Sequence, residues 1–148
     1  MEIMPGFTLT DSETSGARIR LRHGGSGPPL LLLHGNPLTH VAWHKVAPRL
    51  AERFHVVAAD LRGYGDSSAP PEDPDSANYS FRAMAQDQVE AMTALGYDRF
   101  SVAGHDRGGR TTPPMCLDHP ATVMKAALID IVPTLALWVG RNRGGSSW

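Results

Sequence analysis

An α/β fold built on a mostly parallel sheet with flanking helices is what the sequence predicts, and three observations predict it. Leu30 to Leu33 is an unbroken apolar run, and His55 to Ala59 is a second nearly continuous one; runs of this kind mark strands buried on both faces. Segments with helical spacing alternate with these runs and with two later ones, Phe100 to Ala103 and Met124 to Ile129, which is the order that crossover units require. Finally, the chemically reactive side chains cluster just after the runs, at His34 to Pro37, Asp60 to Ser68, Gly104 to Arg110 and Asp130. Open parallel sheets gather such groups beyond the carboxyl ends of their strands.

The elements follow in chain order. Phe7 to Leu9 and Arg18 to Arg22 suggest a hairpin interrupted by the polar stretch Thr10 to Gly16, and Gly24 to Gly27 reads as a hairpin turn. The strand Leu30 to Leu33 should be central. Val41, Val46, Leu50 and Phe54 recur at roughly helical spacing, with Pro48 at the junction of two short helices. After the strand His55 to Ala59, Pro70 to Asn78 is an exposed loop. Ser80 then caps a helix running through Leu95, and Gly96 ends it. Phe100 to Ala103 is a strand, Gly104 to Gly109 a sharp turn, Thr111 to His119 a helix, and Met124 to Ile129 a strand. Pro113 and Pro114 each remove a backbone donor, so that helix is expected to be kinked or shortened.

Composition narrows the function. With 148 residues, 41% hydrophobic and 20% charged, the chain suits one globular domain. Fourteen Lys and Arg against fifteen Asp and Glu give a net charge of -1, too little positive field for nucleic acid or an anionic membrane. The single cysteine, Cys116, rules out an intrachain disulfide framework, and no signal segment opens the sequence, so a cytoplasmic location is expected. His40 and His44 are four apart, but Val41 stands where a zinc-protease motif needs glutamate; they read as a surface pair, with no metal expected.

Gly104-His105-Asp106-Arg107-Gly108 has the layout of a nucleophile elbow, with Asp106 in the position where serine hydrolases carry Ser. The flanking glycines allow a tight strand-to-helix turn, and the helix N-terminus favours an ionised Asp106. A carboxylate that attacks saturated carbon leaves an ester, which water can cleave; a serine would leave an inert ether. Ester cleavage needs an oxyanion hole, here the N–H groups of Arg107 and Asn36. The side chain of Asn36 is not expected to matter. Arg107 and Arg110 are three apart on the helix that follows, able to grip a substrate carboxylate with paired charge-assisted hydrogen bonds. Asp60 to Ser68 reads as a structural loop, and His105 as packing beside the elbow.

These residues carry a resemblance. His34-Gly35-Asn36-Pro37, Asp60-Leu61-Arg62-Gly63-Tyr64-Gly65-Asp66-Ser67-Ser68, Asn78 to Ala85, Asp106-Arg107-Gly108-Gly109-Arg110 and Leu128 to Pro133 together resemble the α/β-hydrolase superfamily. Within it the chain is similar to the haloacetate (fluoroacetate) dehalogenases. The likeness runs from about Pro5 to Thr134 and implies hydrolytic carbon–halogen cleavage through an aspartyl ester, with no cofactor. It implies Asp106 as nucleophile, Arg107 and Arg110 as the carboxylate anchor, Asp130 as the acid orienting a histidine base, and a small haloacid as substrate. A full-length form is expected to be a homodimer. The family's base histidine and helical cap lie further downstream, so residues 1–134 are expected to be the N-terminal part of the hydrolase domain, truncated before the cap and C-terminal strands. Residues 135–148 are expected to be a divergent, irregular tail, and this chain by itself is expected to lack turnover. Two alternatives stay open: an epoxide hydrolase, which shares the Asp nucleophile, and a non-catalytic truncated product.

Overall fold

The computed structural model describes residues 2–132, so the expected irregular tail, residues 135–148, lies outside the described residues. Among the described residues six strands form one sheet: β1 (Thr8–Glu13), β2 (Arg18–Gly24), β3 (Pro29–Leu33), β4 (His55–Ala59), β5 (Phe100–His105) and β6 (Val123–Ile129). Their spatial order is β1-β2-β4-β3-β5-β6. The pairings β3 with β4, β3 with β5 and β5 with β6 are parallel, while β1 with β2 and β2 with β4 are antiparallel. The α-helices of the described residues that accompany the sheet are α1 (Ala47–Leu50), α2 (Phe81–Ala94) and α3 (Arg107–Asp118).

The apolar runs are buried on both faces because side chains alternate along a strand. Leu31, Leu33, Val57, Ala59, Phe100 and Val102 enter one core, beside Ala85 and Met92 of α2 and Met115 of α3. Leu32, Val56 and Ala58 enter the opposite core, under Ala47, with Trp43 and Leu50 packed alongside. Burying each large side chain fully contributes about 1.5–3 kcal/mol. That is why β3 sits between β4 and β5 rather than at an edge. β6 is the outermost of the described strands on its side, and its Met124, Leu128 and Ile129 are exposed.

Several local expectations are corrected. β1 continues through Thr10 to Glu13 instead of breaking there, since pairing with Arg18 to Leu21 satisfies its backbone. Gly24 to Gly27 is not a hairpin turn: β2 and β3 do not pair, and the segment crosses to the far side of β4. Pro48 stands in the first turn of α1, where its missing N–H is not needed, and the preceding helical piece is a 3-10 turn at His40–Trp43. α3 starts at Arg107, four residues before the expected start, and runs unbroken past Pro113 and Pro114. At its start, the Thr111 and Thr112 hydroxyls donate to the carbonyls of Arg107 and Gly108. Ser80 caps α2 as expected, accepting from the Ala83 N–H at 3.1 Å, and Gly96 follows the helix with φ +95°.

Candidate active site

The sharp turn between β5 and α3 puts Asp106 at the carboxyl edge of the sheet. Its φ is +50° and ψ −110°, a conformation that costs a non-glycine residue on the order of 1–3 kcal/mol and must be enforced by its surroundings. Close packing enforces it. A Cβ on Gly104 would lie 2.3 Å from the Gly108 carbonyl oxygen, and one on Gly108 would lie 2.3 Å from the Leu33 carbonyl oxygen. The Gly108 N–H also donates to the His34 carbonyl at 3.0 Å, tying the start of α3 to the end of β3.

The loop after β3 closes on the same carboxylate. The Asn36 backbone N–H donates to Asp106 Oδ2 at 2.9 Å. This bond is the main cause holding the Asp106 carboxyl below its ordinary range; partial burial opposes it, while the Arg107 N–H and the charges of His105 and Arg110 add in the same direction. Neither guanidinium forms an ion pair with Asp106, so the carboxylate is held by backbone donors rather than by the arginines.

Asp106, Asn36, Arg107, Arg110 and Phe81 line an open cleft of about 320 Å³. The guanidinium carbon of Arg107 lies 5.8 Å from the ring centroid of Tyr64 and 5.8 Å from that of Phe81. Among the described residues no carboxylate lies within ion-pair distance of Arg107 or Arg110. The cleft therefore joins one ionised carboxylate to two cations. Asp130 lies just past β6 at φ +50°, with its side chain 91% exposed and its Oδ2 4.0 Å from His105 Nε2. The five site residues named from the sequence are thus all at one edge of the sheet, with Asp130 outside the cleft lining itself. His105 lines a smaller neighbouring cavity together with His34, Trp43 and Ile129.

Other residues support the loops and were not assigned from the sequence. His34 is buried; its Nε2 accepts from the Leu61 N–H at 3.0 Å, and its Nδ1 donates to the Gly35 carbonyl at 2.9 Å. Burial is the main cause that keeps its pKa below the usual histidine value, which suits a ring that must accept as well as donate. His40 is not half of a surface pair. It is buried, donates through Nδ1 to Asp60 Oδ1 at 2.7 Å, and accepts at Nε2 from Arg22. Burial opposes ionisation of Asp60, but hydrogen bonds from the His40 ring and backbone and from the Asp66 N–H outweigh it and hold the carboxyl low. Asp60 thereby clamps the loop 60–68 to the segment that follows Asn36, the structural part expected of that loop. The side chain of Asn36 does have a partner, contrary to expectation: its Oδ1 accepts from the Tyr64 hydroxyl at 3.1 Å. The signal for Tyr64 and Phe81 was their position, one in the loop beyond β4 and the other at the first residue of α2, both facing the active edge.

Parallel strands, a strained acid at a strand-to-helix elbow and a backbone donor from the loop after β3 define the α/β-hydrolase fold. The chain belongs to the alpha/beta hydrolase fold family, whose family model matches residues 28–145. It is 59% identical over 133 residues to a fluoroacetate dehalogenase of Burkholderia sp, an alignment covering 90% of this chain and 44% of that protein. It is 40% identical over 121 residues to a soluble epoxide hydrolase of Corynebacterium sp. (strain C12), covering 82% of this chain and 41% of the relative. An epoxide hydrolase structure from an endophytic Streptomyces superposes with a TM-score of 0.78 at 33% identity, covering 84% of this chain and 37% of that one. The chain spans less than half the length of these relatives. No helix among the described residues is long and apolar enough to cross a membrane, and no cluster of three or more His, Cys, Asp or Glu side chains among them is arranged to hold a metal ion.

Proposed function

We propose that the cleft takes a small haloacid, of which haloacetate is the simplest, and that Asp106 displaces its halide. The observation that carries this reading is the pair of guanidiniums, Arg107 and Arg110, lining the same cleft as an ionised Asp106, with no carboxylate within ion-pair distance of either among the described residues. A planar guanidinium fork matches a carboxylate, and anchoring that end brings the adjacent α-carbon to Asp106. Asp106 Oδ2 is engaged by the Asn36 N–H, leaving Oδ1 to attack. The new O–C bond forms as the carbon–halogen bond breaks, the halide leaves with the bonding pair, and Oδ2 becomes the carbonyl oxygen of the ester. The donor that held the carboxylate then stands ready for the oxyanion when water attacks that carbonyl.

The second step needs a base to take the proton from water and an acid such as Asp130 to orient that base. Among the described residues no histidine forms an ion pair with the Asp106 carboxylate, and the first step alone leaves an ester on Asp106 that can be sought directly. The fluoroacetate dehalogenase relative supports the same chemistry. The epoxide hydrolase relatives support the nucleophile equally well, but an uncharged epoxide offers the two cations no partner. The test is incubation with bromoacetate followed by intact mass and peptide mapping. A carboxymethyl ester on Asp106, lost in Asp106→Asn and slowed in Arg107→Leu, is the expected result. Labelling confined to Cys116 or to histidines refutes the reading.

A further inference from the structure

We propose that Tyr64 is a positioning residue that sets both halves of this cleft, acting on Arg107 through its ring and on Asn36 through its hydroxyl. The proposal rests on the carboxylate reading above and goes further, because it names what makes the cleft select an anion.

The ring lies in the loop after β4 and is partly buried against the main core, so its orientation is set by packing. The guanidinium of Arg107 is equidistant from Tyr64 and Phe81, at 5.8 Å from each centroid. An aromatic face attracts a cation through its quadrupole and takes up none of its N–H donors. A carboxylate partner would do the opposite, using the donors and cancelling the charge. Two rings therefore hold Arg107 in place while leaving its hydrogen-bonding edge and its full charge for a ligand. This also requires arginine at the position, since a lysine ammonium lacks the planar fork.

The same ring meets His34 edge-on with centroids 5.3 Å apart, and its hydroxyl donates to Asn36 Oδ1 at 3.1 Å. His34 and Asn36 flank Gly35 in the loop whose N–H binds Asp106 Oδ2. One side chain thus couples the anchor for the ligand's anionic end to the loop that orients the nucleophile. The two couplings use different parts of the residue, so they can be separated by substitution.

The experiment measures Asp106 ester formation, in which the carboxylate oxygen displaces bromide from carbon, against concentration of bromoacetate and of neutral bromoacetamide. The full chain is compared with Tyr64→Phe, Tyr64→Leu and Phe81→Leu, with far-UV circular dichroism checking the fold of each. Phe81→Leu is expected to raise the half-saturating bromoacetate concentration by roughly threefold to tenfold, with little effect on the rate with bromoacetamide, whereas Tyr64→Leu, which loses the hydroxyl as well as the ring, is expected to raise it similarly and to lower the limiting rate with both reagents. Tyr64→Phe keeps the ring and is expected to restore the half-saturation value while lowering the limiting rate. If Tyr64→Leu and Phe81→Leu fold and saturate like the parent while Arg107→Leu does not, the clamp is overturned and the carboxylate reading stands. If the parent forms no Asp106 ester, both fall together.

Discussion

The glycine at the second turn position after Asp106 offers a stringent test of how the elbow works. Gly108→Ala would place a Cβ 2.3 Å from the carbonyl oxygen of Leu33, 2.6 Å from its carbonyl carbon and 2.7 Å from its Cβ. Ordinary van der Waals contact begins near 3.4 Å, so the shortfall is about 1 Å. Leu33 is completely buried in the central strand and paired with β4 and β5, so it has nowhere to retreat. α3 must move instead, carrying Asp106 away from the Asn36 N–H. A displacement near 1 Å of a reacting group costs about a hundredfold in rate, and overpacking costs about 1–3 kcal/mol in stability. Gly109→Ala is the matched control. Its Cβ would meet chiefly the Ile131 Cγ2 at 2.5 Å, a side-chain end that can rotate aside, with the nearest backbone oxygen at 3.2 Å. Bromoacetate labelling of Asp106, with thermal unfolding followed by circular dichroism, should show Gly108→Ala slowed about a hundredfold and Gly109→Ala within a few-fold of the parent. Equal rates for Gly108→Ala and the parent, or a larger loss in Gly109→Ala, would refute the packing argument.

Two further outcomes are expected. Because backbone donation depresses the Asp106 pKa in the folded state, its contribution to stability is present above the unfolded value of about 3.9 and is lost as pH falls through the lower folded value. The labelling rate should accordingly stay level from neutral pH down to about pH 4 and fall only as pH passes through the lower folded value; an inflection at about pH 5 or higher contradicts the assigned hydrogen bonding. Asp87 accepts from Arg62 Nε and from its terminal nitrogen, both at 2.8 Å, and from the Thr14 hydroxyl at 2.8 Å, in a pair almost fully buried. Asp87→Leu should lose about 3–5 kcal/mol in urea unfolding by leaving Arg62 unpaired, and Arg62→Met added to it should recover most of that loss. A single-variant cost below about 1 kcal/mol would mean that water reaches the pair.

The parts of this protein that could be read from its sequence are those governed by near neighbours along the chain. Leu30 to Leu33 announces a strand buried on both sides because alternate side chains need two cores, and the structure supplies both. Ser80 announces a helix start because its hydroxyl reaches a donor three residues ahead. The glycines around Asp106 announce the elbow because only a tight turn needs them at that spacing. Folding alone decided which distant groups meet. His40 looked like half of a surface pair until β4 brought Asp60 beneath it, and Asn36 looked like a mere backbone donor until the next loop brought the Tyr64 hydroxyl to its side chain. The setting of Arg107 between Tyr64 and Phe81 is of the same kind. Local geometry is encoded in the spacing of residue types, whereas contacts between separate loops depend on strand order and register, which the parallel sheet sets only once it is assembled.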